Sequence, residues 1–387
     1  MVARPSGWSP GAVGEARACR PAACLRPAML CLMTTPEVPL RAAIRALPAY
    51  VPGARPPAGA RVHKLSSNEN PYPPLPSVLE AVARAGHEVN RYPDMYATEL
   101  GEALAEQHGC TPAEVVTAGG SVAVLGHILE AVCEAGDEVV YPWRSFEAYP
   151  ILVAVAGASG VPVPLAADGR HDLPAMAAAV TARTRVVLLC TPNNPTGPAL
   201  RAAEVAAFLD AVPGDVAVVV DEAYAEFVRD PEAVDTAVLL RERPNVVVTR
   251  TFSKAYGLAG LRVGYALANP ALAAGIRAAS TPFGVNGVAQ VAAVASLAAR
   301  EELLARVDDV VRERERVVAA LAAIGVEVPE PQGNFVWLAV GERTLELAAF
   351  ARERGVLVRP FAGEGVRVSI GTTQENDAFV SLLHDWA

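Results

Sequence analysis

Residues 249–262 read TRTFSKAYGLAGLR, and they follow three valines at 246–248 that are typical of a buried strand. The chain carries 33 basic side chains, of which only Lys64 and Lys254 are lysine. Since arginine supplies positive charge elsewhere, a retained lysine is a candidate for amine chemistry that a guanidinium cannot perform. Lys254 is therefore a candidate nucleophile. Lys64 has no phosphate-binding neighbours in the sequence and is expected to be solvated or bonded to backbone.

The residues around Lys254 indicate what its amine could hold. Ser253 and Arg262 are good phosphate ligands, and the glycines of this stretch allow a ligand to approach the backbone closely. A lysine amine beside phosphate-binding groups is the equipment that holds pyridoxal phosphate as a Schiff base. A surface lysine in a glycine-rich loop would also fit this stretch when it is taken alone.

Length and composition exclude several classes of protein. For a chain of 387 residues we expect two domains, or one large α/β domain with a smaller companion domain. A net charge of -9 without a long basic run argues against nucleic acid as the main partner. No apolar run is long enough to cross a bilayer, so we expect a cytoplasmic enzyme with small-molecule partners and no membrane partner. The six cysteines form no CxxC pair, which predicts neither a disulfide framework nor a metal site.

Residues 1–35 are expected to be a disordered leader, rich in proline, alanine and arginine. Its apolar patch at 28–33 is too short for the core of a signal peptide. Met33 is the alternative start of the protein, and a targeting peptide is a further alternative.

Continuous valine and leucine runs recur along the middle of the chain. They predict strands at 138–141, 161–164, 186–190, 216–220, 246–250 and 263–267, with helices such as 202–211 between several of them. Such runs indicate strands buried on both faces, so the predicted fold class is α/β, with a mostly parallel sheet covered by helices. Ligands of these sheets bind at the carboxyl ends of the strands. Asn193, Asn194, Asp221, Ser253 and Lys254 all follow such ends.

The carboxyl-terminal part of the chain has a different pattern. A long alanine-rich helical region is predicted from about residue 270 to 323, and its charge run RERER at 312–316 is expected to be a solvated helix face. Three short strands at 335–340, 356–361 and 366–370 and a helix at 344–354 predict a smaller α+β domain. The expected division is an amino-terminal arm at 36–65 that joins the small domain, a large domain at 66–275 and a small domain at 276–387.

Three motifs stand in an order and at gaps that resemble one family. They are TPNNPTG at 191–197, DEAY at 221–224 and TFSK at 251–254 with Arg262, and they resemble the fold type I pyridoxal-phosphate aminotransferases of classes I and II. LSSNENPY at 65–72 and RYPD at 91–94 are similar to the histidinol-phosphate aminotransferase branch. YPWRSFEAY at 141–149 and GGSV at 119–122 resemble its phenylalanine, or aromatic amino acid, aminotransferases. The resemblance begins at about residue 36 and implies a mixed, mostly parallel seven-stranded sheet, a smaller α+β domain and pyridoxal 5'-phosphate as cofactor.

The resemblance also implies that Lys254, Asp221 and Tyr224 are catalytic and that Asn194 helps to bind the cofactor. Lys254 would carry the cofactor as a Schiff base and then serve as general base for the substrate. Asp221 would pair with the pyridine nitrogen and keep it protonated. Asn194 and Tyr224 would hydrogen-bond the phenolic oxygen of the ring. The alternative for Asp221, an unpaired carboxylate at a buried strand end, is costly.

The remaining site residues follow from the same resemblance. The phosphate would be held by Ser253, Arg262 and the turn of Gly120, Ser121 and Val122, which by itself could also be an ordinary helix cap. Tyr92 is expected to reach the phosphate from the second subunit of a homodimer with shared active sites, and Phe146 is expected to stack on the ring. The substrate-site candidates are Arg367, which would grip the α-carboxylate, with Asn194, Tyr50 and Asn334.

Val122 and Ala123 stand where histidinol-phosphate enzymes usually carry acidic residues. The expected reaction is therefore ping-pong transamination between an aromatic amino acid, phenylalanine or tyrosine, and 2-oxoglutarate. Histidinol phosphate is the alternative substrate. Decarboxylation of phosphothreonine and a non-catalytic regulatory domain that binds the cofactor are further hypotheses, although the latter lacks a basic helix-turn-helix extension.

Overall fold

The computed structural model describes residues 38–47 and 62–386. The predicted leader and Tyr50 lie outside these residues, as does most of the predicted arm. The strands, in chain order, are β1 (His63–Lys64), β2 (Val115–Ala118), β3 (Glu138–Trp143), β4 (Ser159–Pro164), β5 (Thr184–Cys190), β6 (Ala217–Asp221), β7 (Val246–Thr251), β8 (Gly264–Ala268), β9 (Phe335–Leu338), β10 (Val356–Leu357), β11 (Arg359–Phe361) and β12 (Gly365–Ser369).

Seven strands form the largest sheet, in the spatial order β2-β8-β7-β6-β5-β3-β4. Strand β8 is antiparallel to both of its neighbours, and every other pairing in this sheet is parallel. The predicted α/β class and the mixed seven-stranded sheet are therefore confirmed. At one edge, β4 is mostly exposed and contains Pro162 and Pro164, which suits an edge because proline cannot donate to a neighbouring strand.

The valine runs are explained by two hydrophobic clusters, one on each face of the sheet. Val218, Val220 and Val248 belong to one cluster, whereas Val219 and Val247 belong to the other. Successive side chains of a strand point to opposite faces. A strand covered on both faces must therefore be apolar at every position, which is why these segments show no alternation.

Helices cover both faces of this sheet, and others pack against a smaller one. They are α1 (Ala42–Ala46), α2 (Pro76–Ala85), α3 (Thr98–His108), α4 (Ser121–Val132), α5 (Ala148–Ala156), α6 (Leu173–Ala178), α7 (Ala202–Ala211), α8 (Thr236–Glu242), α9 (Pro270–Ala279), α10 (Gly287–Ala298), α11 (Arg300–Ala323), α12 (Thr344–Glu353) and α13 (Thr373–Trp386).

The predicted long helical region after residue 270 consists of three helices, α9, α10 and α11. Asn269 caps α9 by accepting a hydrogen bond from the backbone N–H of Ala271, and Asn286 caps α10 by accepting one from Ala289. The residues at 280–286 therefore separate two helices instead of continuing one.

The charge run on α11 is a solvated face only in part. Arg312 and Arg316 are exposed, but Arg314 is buried and donates to the backbone carbonyls of Phe227 and Gly333, each at 3.0 Å. The prediction was wrong at this residue because a long side chain in the middle of a charge run can turn inward when two carbonyls satisfy its guanidinium.

A three-stranded antiparallel sheet in the order β11-β12-β9 lies in the carboxyl-terminal part, and β1 pairs in parallel with β10. The described residues from Arg41 onward form one compact unit. The domain boundaries at 65/66 and 275/276 stay predictions. Among the residues that the structure describes, no helix combines the length and the apolar character that a membrane span requires.

Candidate active site

The carboxyl ends of β5, β6 and β7 bring the predicted polar residues together. Cys190 pairs in register with Asp221, and Asp221 pairs with Thr249 on the other side. The chain leaves β5 toward Asn194 and leaves β7 toward Lys254. Because the three strands are parallel neighbours, residues from separate parts of the sequence meet at one edge of the sheet.

A cavity of about 220 Å³ opens at this edge, between the large sheet and strands β11 and β12. Most of the residues predicted for the site line it. These are Ser121, Val122, Phe146, Asn194, Asp221, Tyr224, Ser253, Lys254, Arg262 and Arg367.

The amine of Lys254 lies inside this cavity. Its Nζ donates to the backbone carbonyl of Ser67 at 3.3 Å and lies 5.6 Å from the centre of the Tyr224 ring. Burial, together with the nearby charge of Arg367, lowers the pKa of Lys254 to about 7. Much of this amine is therefore neutral, and nucleophilic, near neutral pH. Lys64 differs, since it pairs with Glu69 at 2.8 Å outside the cavity.

The Asp221 carboxylate is held by neighbours that cannot neutralise it. Tyr149 donates its hydroxyl to Oδ2 at 2.9 Å, and Thr249 donates to Oδ1 at 3.3 Å. Burial raises the pKa of Asp221 to about 6, although these hydrogen bonds oppose the rise. A buried carboxylate with neutral partners suits a cationic group in the cavity, such as a protonated pyridine nitrogen.

Tyr224, Asn194 and Arg367 line the same cavity. Asn68 donates to the Tyr224 hydroxyl at 3.0 Å, so the proton of that hydroxyl is available for a ligand oxygen. Burial raises the pKa of Tyr224 to about 12, which keeps this proton in place. Arg367 donates to the Asn194 side-chain oxygen at 2.5 Å and to the Ser66 carbonyl at 2.9 Å.

The opposite end of the cavity has the composition of a phosphate site. Arg262 donates to the Ser253 hydroxyl at 3.2 Å, and the amino terminus of α4 begins at Ser121. Gly120 has a φ of +94°, and a Cβ built on it would lie 2.5 Å from the Arg262 guanidinium. Only glycine lets the guanidinium lie against this turn. The donors and the cradle therefore fit the phosphate of pyridoxal phosphate.

Three of the predicted residues that the structure describes do not line this cavity: Gly120, whose turn lies against Arg262, Asn334 and Tyr92. Asn334 is fully buried and donates to the backbone carbonyl of Asn68 at 3.2 Å, so its position supports the Asn68 loop and does not favour the substrate contact expected from sequence. Tyr92 is 85% exposed and stacks on Phe283 with ring centres 4.9 Å apart.

Several residues of the site were given no role from the sequence. Tyr149 holds Asp221, and Glu147, Arg359 and Phe361 line the cavity. Tyr149 and Glu147 belong to the motif at 141–149, but the motif does not reveal their partners. No sequence signal marks Arg359, because the residue that it contacts is 212 positions away.

A larger cavity, of about 560 Å³, lies beside the ion pair of Arg250 and Glu222. None of the predicted site residues lines it. In its wall Arg250 donates to Glu222 at 2.7 Å, and burial lowers the pKa of the nearby His108 to about 4, which keeps that ring neutral. Size alone therefore does not identify the active site.

The fold and the cavity define a pyridoxal-phosphate-dependent transferase of fold type I. More narrowly, the sequence profile described as aminotransferase class I and II matches residues 60–383, and the chain belongs to this family. The predicted enzyme class and cofactor are thereby confirmed.

Known proteins resemble this chain over most of its length. It is 56% identical over 350 residues to the aromatic amino acid aminotransferase of Streptomyces avermitilis, covering 90% of this chain and 97% of that protein. The enzyme of the same name from Thermobifida fusca is also 56% identical, over 349 residues, with the same coverage. The crystal structure of histidinol-phosphate aminotransferase from Sinorhizobium meliloti, in complex with pyridoxal-5'-phosphate, superposes with a TM-score of 0.82. The two chains are 30% identical, and the superposition covers 91% of this chain and 100% of the other.

Proposed function

We propose that this aminotransferase moves the amino group between an aromatic amino acid, phenylalanine or tyrosine, and 2-oxoglutarate. The observation that carries the proposal is one cavity in which a lysine amine with a pKa lowered to about 7, a buried carboxylate and the Arg367 guanidinium meet beside aromatic rings. Relatives that are 50–56% identical and named aromatic amino acid aminotransferase support the choice of substrate.

Five side chains of the cavity would hold the cofactor. Lys254 would anchor it through its amine, Asp221 would face the pyridine nitrogen, and Asn194 and Tyr224 would donate to the ring oxygen. The phosphate would lie against Arg262 and the start of α4. Bound pyridoxal phosphate supplies an electrophilic carbon for an amine and a ring that withdraws electrons.

The amine of Lys254 also serves as the proton carrier. With a pKa lowered to about 7, its Nζ is partly unprotonated near neutral pH, so it can accept a proton from the substrate Cα and return one. The aromatic face of Tyr224, 5.6 Å away, stabilises the charged form while the proton is held.

Arg367 would bind the α-carboxylate of the substrate. Arg367 is 8% exposed and lines the cavity, and hydrogen bonds to Asn194 and Ser66 hold its guanidinium, a group that pairs well with carboxylates. The rings of Phe146 and Phe361 line the same cavity and offer an apolar surface to an aromatic side chain. This surface favours phenylalanine and tyrosine over substrates with a charged side chain.

Histidinol phosphate is the second candidate substrate, because a protein of that activity superposes closely on this chain. Its phosphate stands on the carbon that replaces the α-carboxyl group, so it would lie near Arg367 and the strand partner of Arg367, Arg359. Arg359 already contacts Glu147 at 2.6 Å, which favours a substrate that carries a carboxylate there.

A homodimer with shared active sites is part of the proposal. Several large apolar side chains are exposed near the turn at 91–97, and Tyr92 does not line the cavity of its own chain. A second copy would cover these side chains and bring its own Tyr92 to the phosphate end of this cavity. The exposed side chains are Val89, Tyr92, Met95, Tyr96, Phe283 and Val291. A cytoplasmic location also stays a prediction.

The test is a substrate comparison on purified protein loaded with pyridoxal phosphate. Phenylalanine, tyrosine, histidinol phosphate and phosphothreonine are each supplied with 2-oxoglutarate, and keto acid, glutamate and carbon dioxide are measured. The expected result is the highest kcat/KM for phenylalanine or tyrosine, with no carbon dioxide released. A much higher kcat/KM for histidinol phosphate would overturn the substrate choice. Lys254→Arg is the matched inactive control, since it keeps a long basic side chain and removes the amine.

A further inference from the structure

The hydroxyl of Tyr224 carries a proton that none of the described residues accepts. Among these residues Asn68 is the one hydrogen-bond partner of the hydroxyl, and its Nδ2 donates to the hydroxyl oxygen at 3.0 Å. A phenolic oxygen that receives a hydrogen bond still has its own proton to donate. Tyr224 lines the cavity, so an oxygen of a bound ligand can accept that proton. The direction of the proton therefore depends on which way the Asn68 amide faces.

Ser369 on β12 fixes the orientation of this amide. Its Oγ accepts from the Asn68 backbone N–H at 2.7 Å and donates its own proton to Asn68 Oδ1 at 2.9 Å. The opposite orientation would turn Nδ2 toward Ser369, whose hydroxyl proton would then have no acceptor among the described residues. Both residues are buried, so that unpaired proton would be costly. The amide oxygen therefore faces Ser369, and the amide nitrogen faces Tyr224.

The backbone at Asn68 suits an asparagine and is tied to the small sheet. Its φ is +52°, a left-handed value that asparagine adopts more readily than most residues with a side chain. Asn334, directly before β9, donates to its carbonyl at 3.2 Å. Ser369 is two positions from Arg367 on β12, so the two side chains project from the same face of that strand. The strand that would bind the substrate carboxylate thus also holds the group that orients Asn68.

We propose that Asn68 and Ser369 are positioning residues, which act through Tyr224 by aiming its hydroxyl proton at the ring oxygen of the bound cofactor. This inference rests on the place of Tyr224 in the proposed function and extends it to two residues that do not line the cavity. A donor at the ring oxygen stabilises the anionic form of that oxygen. It thereby lowers the pKa of the nitrogen that joins the cofactor to Lys254. The hydrogen bond from Asn68 strengthens this donor, because each hydrogen bond in a chain polarises the next.

The experiment follows the visible absorbance of the purified, cofactor-loaded enzyme as a function of pH, which reports the protonation of that nitrogen without turnover. Asn68→Gly removes the amide and tolerates the positive φ, so the midpoint of the titration should rise by roughly 0.5 to 1 pH unit. Ser369→Ala should raise it by a smaller amount, because the amide stays in place and loses only its fixed orientation.

A double variant tests whether the effect passes through Tyr224. Tyr224→Phe should raise the midpoint at least as far as Asn68→Gly does. The midpoint of Asn68→Gly/Tyr224→Phe should equal that of Tyr224→Phe alone, since a group that acts through the hydroxyl then has nothing to act on.

Asn376→Ala is the control for the loss of a buried asparagine. The Asn376 side chain bonds to the backbone of Gly371 and to Glu313, and it does not line the cavity. This variant should unfold at a lower urea concentration than wild type and keep the wild-type absorbance midpoint. A general loosening of the fold is thereby separated from a change at the ring oxygen.

The results distinguish this inference from the proposed function. A shift in Asn68→Gly that persists in the Tyr224→Phe background would overturn the inference, because the amide would then act by another route. A shift in Tyr224→Phe with none in Asn68→Gly or Ser369→Ala would overturn the inference alone. An unchanged midpoint in Tyr224→Phe would remove Tyr224 from the ring oxygen and would overturn that part of the proposed function as well.

Discussion

Replacing Asp221 by asparagine should make the cofactor-free protein more resistant to unfolding as the pH rises. The carboxylate is buried, and its pKa is raised from the ordinary value of 3.8 to about 6. The folded state therefore binds this proton more tightly than the unfolded state does, so ionisation of Asp221 opposes folding. Asparagine has nearly the same shape, and its side-chain oxygen can still accept from Tyr149.

The size and the pH window follow from these two pKa values. The penalty is absent below 3.8, develops between 3.8 and 6, and is full above 6, where it is about 3 kcal/mol. About half of it, ~1.5 kcal/mol, develops between pH 5 and pH 8. Relative to the asparagine variant, wild type should therefore lose about 1.5 kcal/mol of unfolding free energy over that range.

The assay is urea denaturation of both cofactor-free proteins at several pH values between 5 and 8. The same comparison in a Lys254→Ala background removes the amine that titrates near pH 7 and should give the same trend. A stability difference that is independent of pH, or that moves in the other direction, would refute the interpretation that Asp221 is a strained, ionised carboxylate. The variant should also lose transamination, since its amide cannot keep a pyridine nitrogen protonated.

The other predictions concern the amine, the carboxylate site, the phosphate cradle and the subunit contact. Lys254→Ala should abolish turnover and the visible absorbance of covalently bound cofactor while leaving the far-ultraviolet circular dichroism unchanged; retained turnover would contradict the assignment. Arg367→Ala should raise KM for phenylalanine roughly 10- to 100-fold with a smaller change in kcat, and an unchanged KM would place it outside the substrate site. Gly120→Ala would press a methyl group against Arg262, only 2.5 Å away, so cofactor titration should show weaker binding. Tyr92→Arg should shift sedimentation from dimer to monomer, whereas a wild-type sedimentation coefficient would count against the proposed contact.

The central strands could be predicted because burial on both faces leaves a strong signal. The strand predicted at 186–190 is observed at Thr184–Cys190, and the strand predicted at 246–250 is observed at Val246–Thr251. Helix boundaries after residue 270 were less visible in an alanine-rich sequence, although Asn269 and Asn286 carried the capping signal.

The site residues also fall into those that the sequence could place and those that it could not. Residues that follow strand ends could be placed by topology, since parallel neighbours bring their carboxyl ends together. Residues whose role depends on a partner far away in the sequence could not be placed in this way. The pairing of Arg359 with Glu147 spans 212 positions, and that of Tyr149 with Asp221 spans 72. Neither pair has a local pattern, because each contact is created by the packing of separate elements.

Because lysine is scarce in this chain, few of its side-chain amines can react with an aldehyde. Unprotonated amines attack the carbonyl carbon of aldehydes and acylating reagents, and this sequence offers two lysine side chains for that reaction. One of these, Lys64, is held in an ion pair with Glu69, while burial keeps much of Lys254 unprotonated at physiological pH. A carbonyl compound that meets the folded chain therefore finds one reactive lysine, at the bottom of the cavity, with few competing sites to divert it.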